Sequence, residues 1–151
     1  MGKLTIRGNR ELGIALERLP KRLYSRIMRP AVNASLTPTN AAAKRKAPRA
    51  TGALRASLGK VVRQYPRTGT TWGAIGPRDD LKFRRPDPDR PGRLRRPSIY
   101  THMVEGGTRT QPARPFLRPA LDEQEGAALQ ILYTKVAAGI EREAARLGRG
   151  S

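Results

Sequence analysis

The only histidine in the chain, His102, lies in the run YTHMVEGGTRTQPARPFLRPAL (residues 100–121), between Tyr100 and Glu105. A carboxylate three residues along a helix favours the protonated imidazole, so His102 and Glu105 have the makings of an acid–base pair. The pair has no companions. No second histidine and no cysteine stand at metal-ligand spacing, and one imidazole does not mark out a Ser/His/Asp order. The glycine-containing turns GTRTQ and TGTTWG do not lead from a strand into a helix with a phosphate-binding lysine. His102 therefore reads as a surface or interface residue. No catalytic, cofactor-binding or metal-binding residues are assigned, and an enzyme is not expected.

Cations offer the other chemistry. The 151 residues carry a net charge of +19 and a pI near 11.6, a balance that points to a polyanionic partner or to a place in an assembly that supplies one. Residues 1–77 hold 16 Lys and Arg against two acids. Residues 78–98 hold eight against four, and residues 99–151 are nearly neutral. Two clusters stand out as DNA or partner contacts: Lys44, Arg45 and Lys46, at the end of a helical stretch, and Arg84, Arg85, Arg93, Arg95 and Arg96, in a proline-rich run. Both suit phosphate contacts of a salt-dependent, sequence-independent kind. The first also suits the negative end of a helix, and the second a solvated loop docked on acidic neighbours. The aromatics, Trp72, Phe83, Phe116 and four tyrosines, read as no interleaved stacking platform of the kind single-strand binders use.

The elements that must position these residues follow from periodicity. KLTIR (3–7) alternates as a short strand, and Asn9 can cap a helix beyond it. Leu12, Leu16, Leu19, Leu23 and Ile27 form one apolar stripe, divided at Pro20 into two helices. The helical pattern continues to Lys46, with a kink or a break expected near Thr37-Pro38, and Ala47 before Pro48 ends it. TGALRASL (51–58) reads as a short helix with Thr51 as N-cap. KVVRQY and TTWGAIG, joined by residues 66–69, read as a hairpin whose core contributions are Trp72 and Ile75.

Residues 78–98 have too few apolar side chains to offset chain ordering and read as an extended arm, flexible or ordered by a partner. From Pro119 to Leu147, the residues Leu121, Ala128, Leu132, Val136, Ile140, Ala144 and Leu147 mark one face of a long helix. Asp122, Glu123 and Glu125 fall near its positive end, and Gly148 ends it. No apolar run approaches the roughly 20 residues of a membrane span, and no membrane partner is expected. The fold class is α+β: N-terminal helices and a long C-terminal helix on a small, mainly antiparallel sheet, in one domain over residues 1–151.

Three motifs occur in order: Ala47, Pro48, Thr51, Gly52, Leu54, Arg55 and Ser57; then Tyr100, Val104, Glu105, Gly107 and Thr108; then Arg114, Pro115, Phe116, Leu117, Pro119 and Ala120. Together they resemble the tail-completion, or neck, proteins of long-tailed phages, the family named after gene product ten of phage Hong Kong 97, and are similar to the minor tail protein Z of lambda-type phages. Two features depart from the family pattern: the long proline-rich run 78–98, and Gly106 where an aromatic or apolar residue is expected.

The resemblance implies a structural virion protein that forms a ring, typically of six subunits, at the top of the tail. On one side it would meet the tail tube or terminator protein, on the other the head-side connector or stopper. DNA would pass through the lumen with at most non-specific contact. It implies a location at the virion neck, and in the host cytoplasm during assembly. Pro48, Thr51, Gly52, Leu54, Arg55, Tyr100, Glu105, Gly107, Thr108, Pro115 and Phe116 would maintain the fold or the ring interface. Gly107 is expected to supply a turn closed to side chains, Pro115-Phe116 to pin the long helix, and Glu105 to pair with an arginine in its own subunit or across the ring. The alternative reading is a free-standing basic nucleic-acid-binding protein.

Overall fold

A computed structural model of the chain describes residues 21–48, 52–65, 67–78, 83–87 and 90–148. The strand expected at 3–7, the Asn9 cap, the Leu12/Leu16/Leu19 stripe, Pro20 and Thr51 lie outside these residues. The described elements run α1 (Lys21–Lys46), α2 (Ala53–Ser57), β1 (Leu58–Tyr65), β2 (Thr70–Pro77), β3 (Phe83–Asp87), β4 (Arg90–Arg95), α3 (Pro97–Gly106) and α4 (Leu117–Gly148). The fold is α+β, with β1–β2 and β3–β4 each forming a two-stranded sheet.

Contacts divide the chain into two compact units. The first holds the described residues of Met1–Pro38, Val61–Ala74 and Glu125–Ser151. Its core is Ile27, Ala31, Leu132 and Val136, with Met28, Val32 and Ile140 packed against it. The α1 and α4 backbones come close where Gly139 faces Ile27: a Cβ at Gly139 would stand 2.8 Å from Ile27 Cγ2. Arg26 and Glu143 form an ion pair at 3.7 Å across the same two helices. One face of the hairpin lies on α1: Gln64 Nε2 donates to the Ser25 carbonyl at 2.7 Å, and Gly73 sits against Leu36 and Val32.

The second unit holds Thr39–Lys60 and Ile75–Gln124. Its core is Ala42, Ala43, Ala47, Leu54, Leu58, Phe116 and Ala120, with Ile75, Tyr100, Val104 and Leu117 packed around it. Ala42 and Ala43 of α1, and Ala47 just beyond it, share this core with the Phe116 ring. Phe116 is 0% exposed.

Several expectations change. α1 runs without a break through Pro30 and Pro38. Each proline removes one backbone donor, at about 3 kcal/mol in an isolated helix. Here Ile27 and Ala31 are buried beside one proline, and Ala42 and Ala43 beyond the other, so packing holds the helix together. The Ser35 and Thr37 hydroxyls donate to the Val32 and Asn33 carbonyls along the same stretch. The helix does end at Lys46, ahead of Pro48, as the steric rule requires.

α2 begins on Gly52 as N-cap, at φ 68°, with no side-chain cap bond from that residue. The hairpin forms as expected. Thr68 and Gly69 both donate to the Tyr65 carbonyl, and so short a connection allows only antiparallel strands. Ile75 packs on the core, but Trp72 is 38% exposed and is not a core residue. Residues 83–87 and 90–95, within the stretch read as an extended arm, form an antiparallel ribbon with Phe83 opposite Arg95 and Asp87 opposite Arg90. Its register shifts twice between those pairs. Backbone pairing needs no apolar side chains, which is why composition did not reveal it.

α4 starts at Leu117, so Pro119 is its third residue and not its first; the proline still falls where an N–H would have no helical partner. No acid occupies the first turn. Of the expected stripe, Ala128, Leu132 and Val136 are buried, whereas Ala144 is exposed.

Candidate functional site

Tyr100–Ala120, the run that carries two of the three motifs, folds into a capped elbow between α3 and α4. α3 ends on Gly107 at φ 77° and ψ 176°. That φ lies in the region L side chains avoid, and a Cβ there would stand 2.7 Å from the Ala113 nitrogen and 3.1 Å from the Gln111 carbonyl oxygen. Thr108 closes the turn: its N–H donates to the Gln111 carbonyl at 2.9 Å, and its Oγ1 accepts from Gln111 N–H at 3.0 Å. Arg114 N–H then donates to the Val104 carbonyl at 2.8 Å, returning the chain alongside α3.

Glu105 completes the elbow. Its Oε2 accepts from the N–H groups of Phe116 and Leu117 at 2.9 and 3.1 Å, and its Oε1 from that of Arg118 at 3.0 Å. These are donors at the start of α4 that have no helical acceptor, and a carboxylate meets both their hydrogen-bonding need and the positive end of the helix dipole. Within its own chain Glu105 thus commits both oxygens to backbone N–H groups. Within its own subunit, capping from a distance stands where a pairing with an arginine was one of the two expectations. The role assigned to Asp122, Glu123 and Glu125 at the helix start is filled by a glutamate from another helix.

Gly107→Ala is expected to destabilise the protein by about 1–3 kcal/mol from backbone strain, with a further penalty from the Ala113 contact. Equilibrium denaturation reads it. A change within about 0.5 kcal/mol, the range of an ordinary surface substitution, would remove Gly107 from the elbow.

Of the residues expected to maintain the fold, Leu54 and Phe116 are buried in one core with half-buried Tyr100 against them, and Pro48 is half-buried just beyond α1. Gly52 caps α2 and Ser57 is fully buried, its hydroxyl donating to the Leu54 carbonyl at 2.7 Å. Arg55 and Pro115 are exposed.

The cation clusters differ. Lys46 Nζ lies 2.8 Å from Glu123 Oε2, and Arg45 3.9 Å from Oε1, so two of the three cations that close α1 meet an acid of α4. The Lys46 hydrogen bond and charge hold the Glu123 carboxyl below its ordinary range. A folded-state value below the unfolded one contributes stability above the unfolded pKa and loses it as pH falls through the folded one. Glu123→Gln is therefore expected to flatten slightly the loss of stability on the acid side, by a small amount because the pair is exposed. Arg84 and Arg85 lie in β3, Arg93 and Arg95 in β4, and Arg96 just after it, exposed.

His102 is exposed on α3, next to Met103 at 45% and near Ile99 at 62% exposure. The structure also brings together residues that the sequence reading left apart. Val61, Arg63 and Tyr65 share the uncovered face of β1, and the Arg63 guanidinium lies 5.9 Å from the centroid of the Trp72 ring on β2. Strand alternation was the available signal, since it places positions 61, 63 and 65 on one side. Among the described residues no helix is long and apolar enough to cross a membrane, and no cluster of His, Cys, Asp or Glu is placed to hold a metal ion.

No protein-family model, curated protein or solved structure matches this chain.

Proposed function

We propose that the chain is a non-enzymatic structural subunit that caps a phage tail and joins it to the head connector, as a ring through which DNA passes. The observation that carries this reading is the elbow. The second and third motifs of the resemblance meet in it: Glu105 accepts from the Phe116 N–H, and Gly107 and Thr108 shape the turn between them. A short capped turn that fixes two helix ends leaves the outer side of α3, with Ile99 and Met103, exposed for a neighbouring subunit or a connector surface. The basic front half adds a rationale, because a ring around DNA or against acidic connector faces gains from it. Six subunits is the copy number the resemblance implies.

Mass spectrometry of purified particles, with antibody labelling imaged by electron microscopy, tests this placement. The expected result is the protein in the virion with label at the junction of head and tail. Particles free of it would overturn the reading. A free-standing nucleic-acid-binding protein is the second reading, favoured by an acid-free run from Arg18 to Arg78. It predicts tight binding by the isolated chain that weakens steeply between low and physiological salt.

A further inference from the structure

The β1–β2 hairpin has one covered face and one open one. Gln64 and Gly73 lie against α1, while Val61, Arg63 and Tyr65 alternate with them on the solvent side. Trp72 adds its ring from the neighbouring strand. Val61 is 46% exposed, Tyr65 47% and Trp72 38%. Such large apolar surfaces gain when a partner covers them.

Charge selects the class of partner. From Arg18 to Arg78 the sequence holds 14 Lys and Arg and no Asp or Glu. Arg63 stands on the open face and exposed Arg67 in the hairpin turn. A surface of this kind attracts a polyanion. The aromatic rings then discriminate among polyanions. A duplex offers phosphates but keeps its bases stacked on one another, whereas a single strand presents base faces that can stack on Tyr and Trp and on an arginine plane. The Arg63–Trp72 arrangement already sets a guanidinium beside an indole, the two groups such stacking uses.

We propose that the open face of the β1–β2 hairpin, built by Arg63, Tyr65 and Trp72 with Arg67 at its end, binds single-stranded nucleic acid by base stacking and phosphate contact. This site does not depend on the joining role, and its ligand is not the duplex that a neck encloses.

Trp72 is the only tryptophan, so its fluorescence reports on the site alone. The full-length protein is titrated at physiological salt with a short oligothymidylate, an oligouridylate, a duplex of matched length and inorganic polyphosphate. The expected result is saturable quenching by single strands, with affinity roughly tenfold or more above that for duplex or polyphosphate. Quenching by both single strands or by one assigns the backbone preference, DNA or RNA, within the same proposal. Tyr65→Leu is expected to weaken single-strand binding roughly fivefold or more, the lower end of what loss of one stacking partner brings, with duplex affinity and thermal midpoint unchanged. Arg63→Gln supplies the same comparison should Tyr65→Leu melt early. Equal binding of duplex and polyphosphate would overturn the proposal in favour of unspecific charge attraction. Absence of quenching, or variants that bind like the parent, would overturn it in favour of a protein partner for this face.

Discussion

Phe116→Ala is expected to lower the unfolding free energy by about 3–5 kcal/mol, the range for removing a fully buried phenyl ring. The ring is 0% exposed and surrounded by Ala42, Ala43, Ala47, Leu54, Leu58 and Ala120. Alanine neighbours have no side-chain freedom with which to refill the space, so the cavity term adds to the lost transfer term. Against a total of about 5–15 kcal/mol for an ordinary domain, that is a large share. Phe116 also donates its N–H to Glu105, so a shift of its backbone would loosen the start of α4 as well. Phe116→Leu keeps most of the volume and should lose less than half as much. Denaturant titration followed by circular dichroism measures both. A Phe116→Ala loss below about 1 kcal/mol, less than the mildest core truncation to alanine, would mean that this core does not hold the unit together.

Glu105→Ala is expected to lose about 2–3 kcal/mol, because it strips a charged acceptor from three N–H groups at once. Capping and a merely favourable surface charge make different predictions for the conservative variants. Glu105→Gln keeps a side-chain oxygen that can accept, and should lose about 1 kcal/mol, chiefly the charge–dipole part. Glu105→Asp keeps the charge but is shorter by one methylene and cannot span to Arg118, so it should fall nearer to alanine than to glutamine. If Glu105→Asp matched the parent while Glu105→Gln matched alanine, charge alone would explain the residue and the capping geometry would be wrong. The location of Glu105 sharpens the point. It sits in the last turn of α3, where a negative charge is unfavourable to its own helix, and the α4 donors offset that.

Particular residues show how far the sequence carried. The buried positions of α4 were legible because Ala128, Leu132 and Val136 repeat at four-residue spacing, and the hairpin because a Pro/Gly-containing turn separates two strand-like runs. Gly107 was legible as a turn, and Phe116 as an anchor. The partner of Glu105 was not, since backbone N–H groups carry no residue identity and nothing in the sequence marks which three would point at it. Trp72 was misplaced because size and apolarity suggested burial, whereas a two-stranded sheet resting on one helix has an open side. The β3–β4 ribbon escaped notice for a related reason: its pairing is made by the backbone, in a run whose prolines and arginines read as an extended arm. The α1 prolines were weighted by their cost in an isolated helix, without the packing of Ile27, Ala31, Ala42 and Ala43 that offsets it.

The proposed joining role draws on the elbow, the exposed side of α3 and the basic front half, and loss of the gene tests it most directly. The gene is deleted from the genome that encodes it, and particles in the lysate are imaged by electron microscopy. Joining predicts DNA-filled heads beside separate, complete tails, with infectious particles restored by the parent protein supplied in trans. Normal joined and infectious particles from the deletion strain would contradict it.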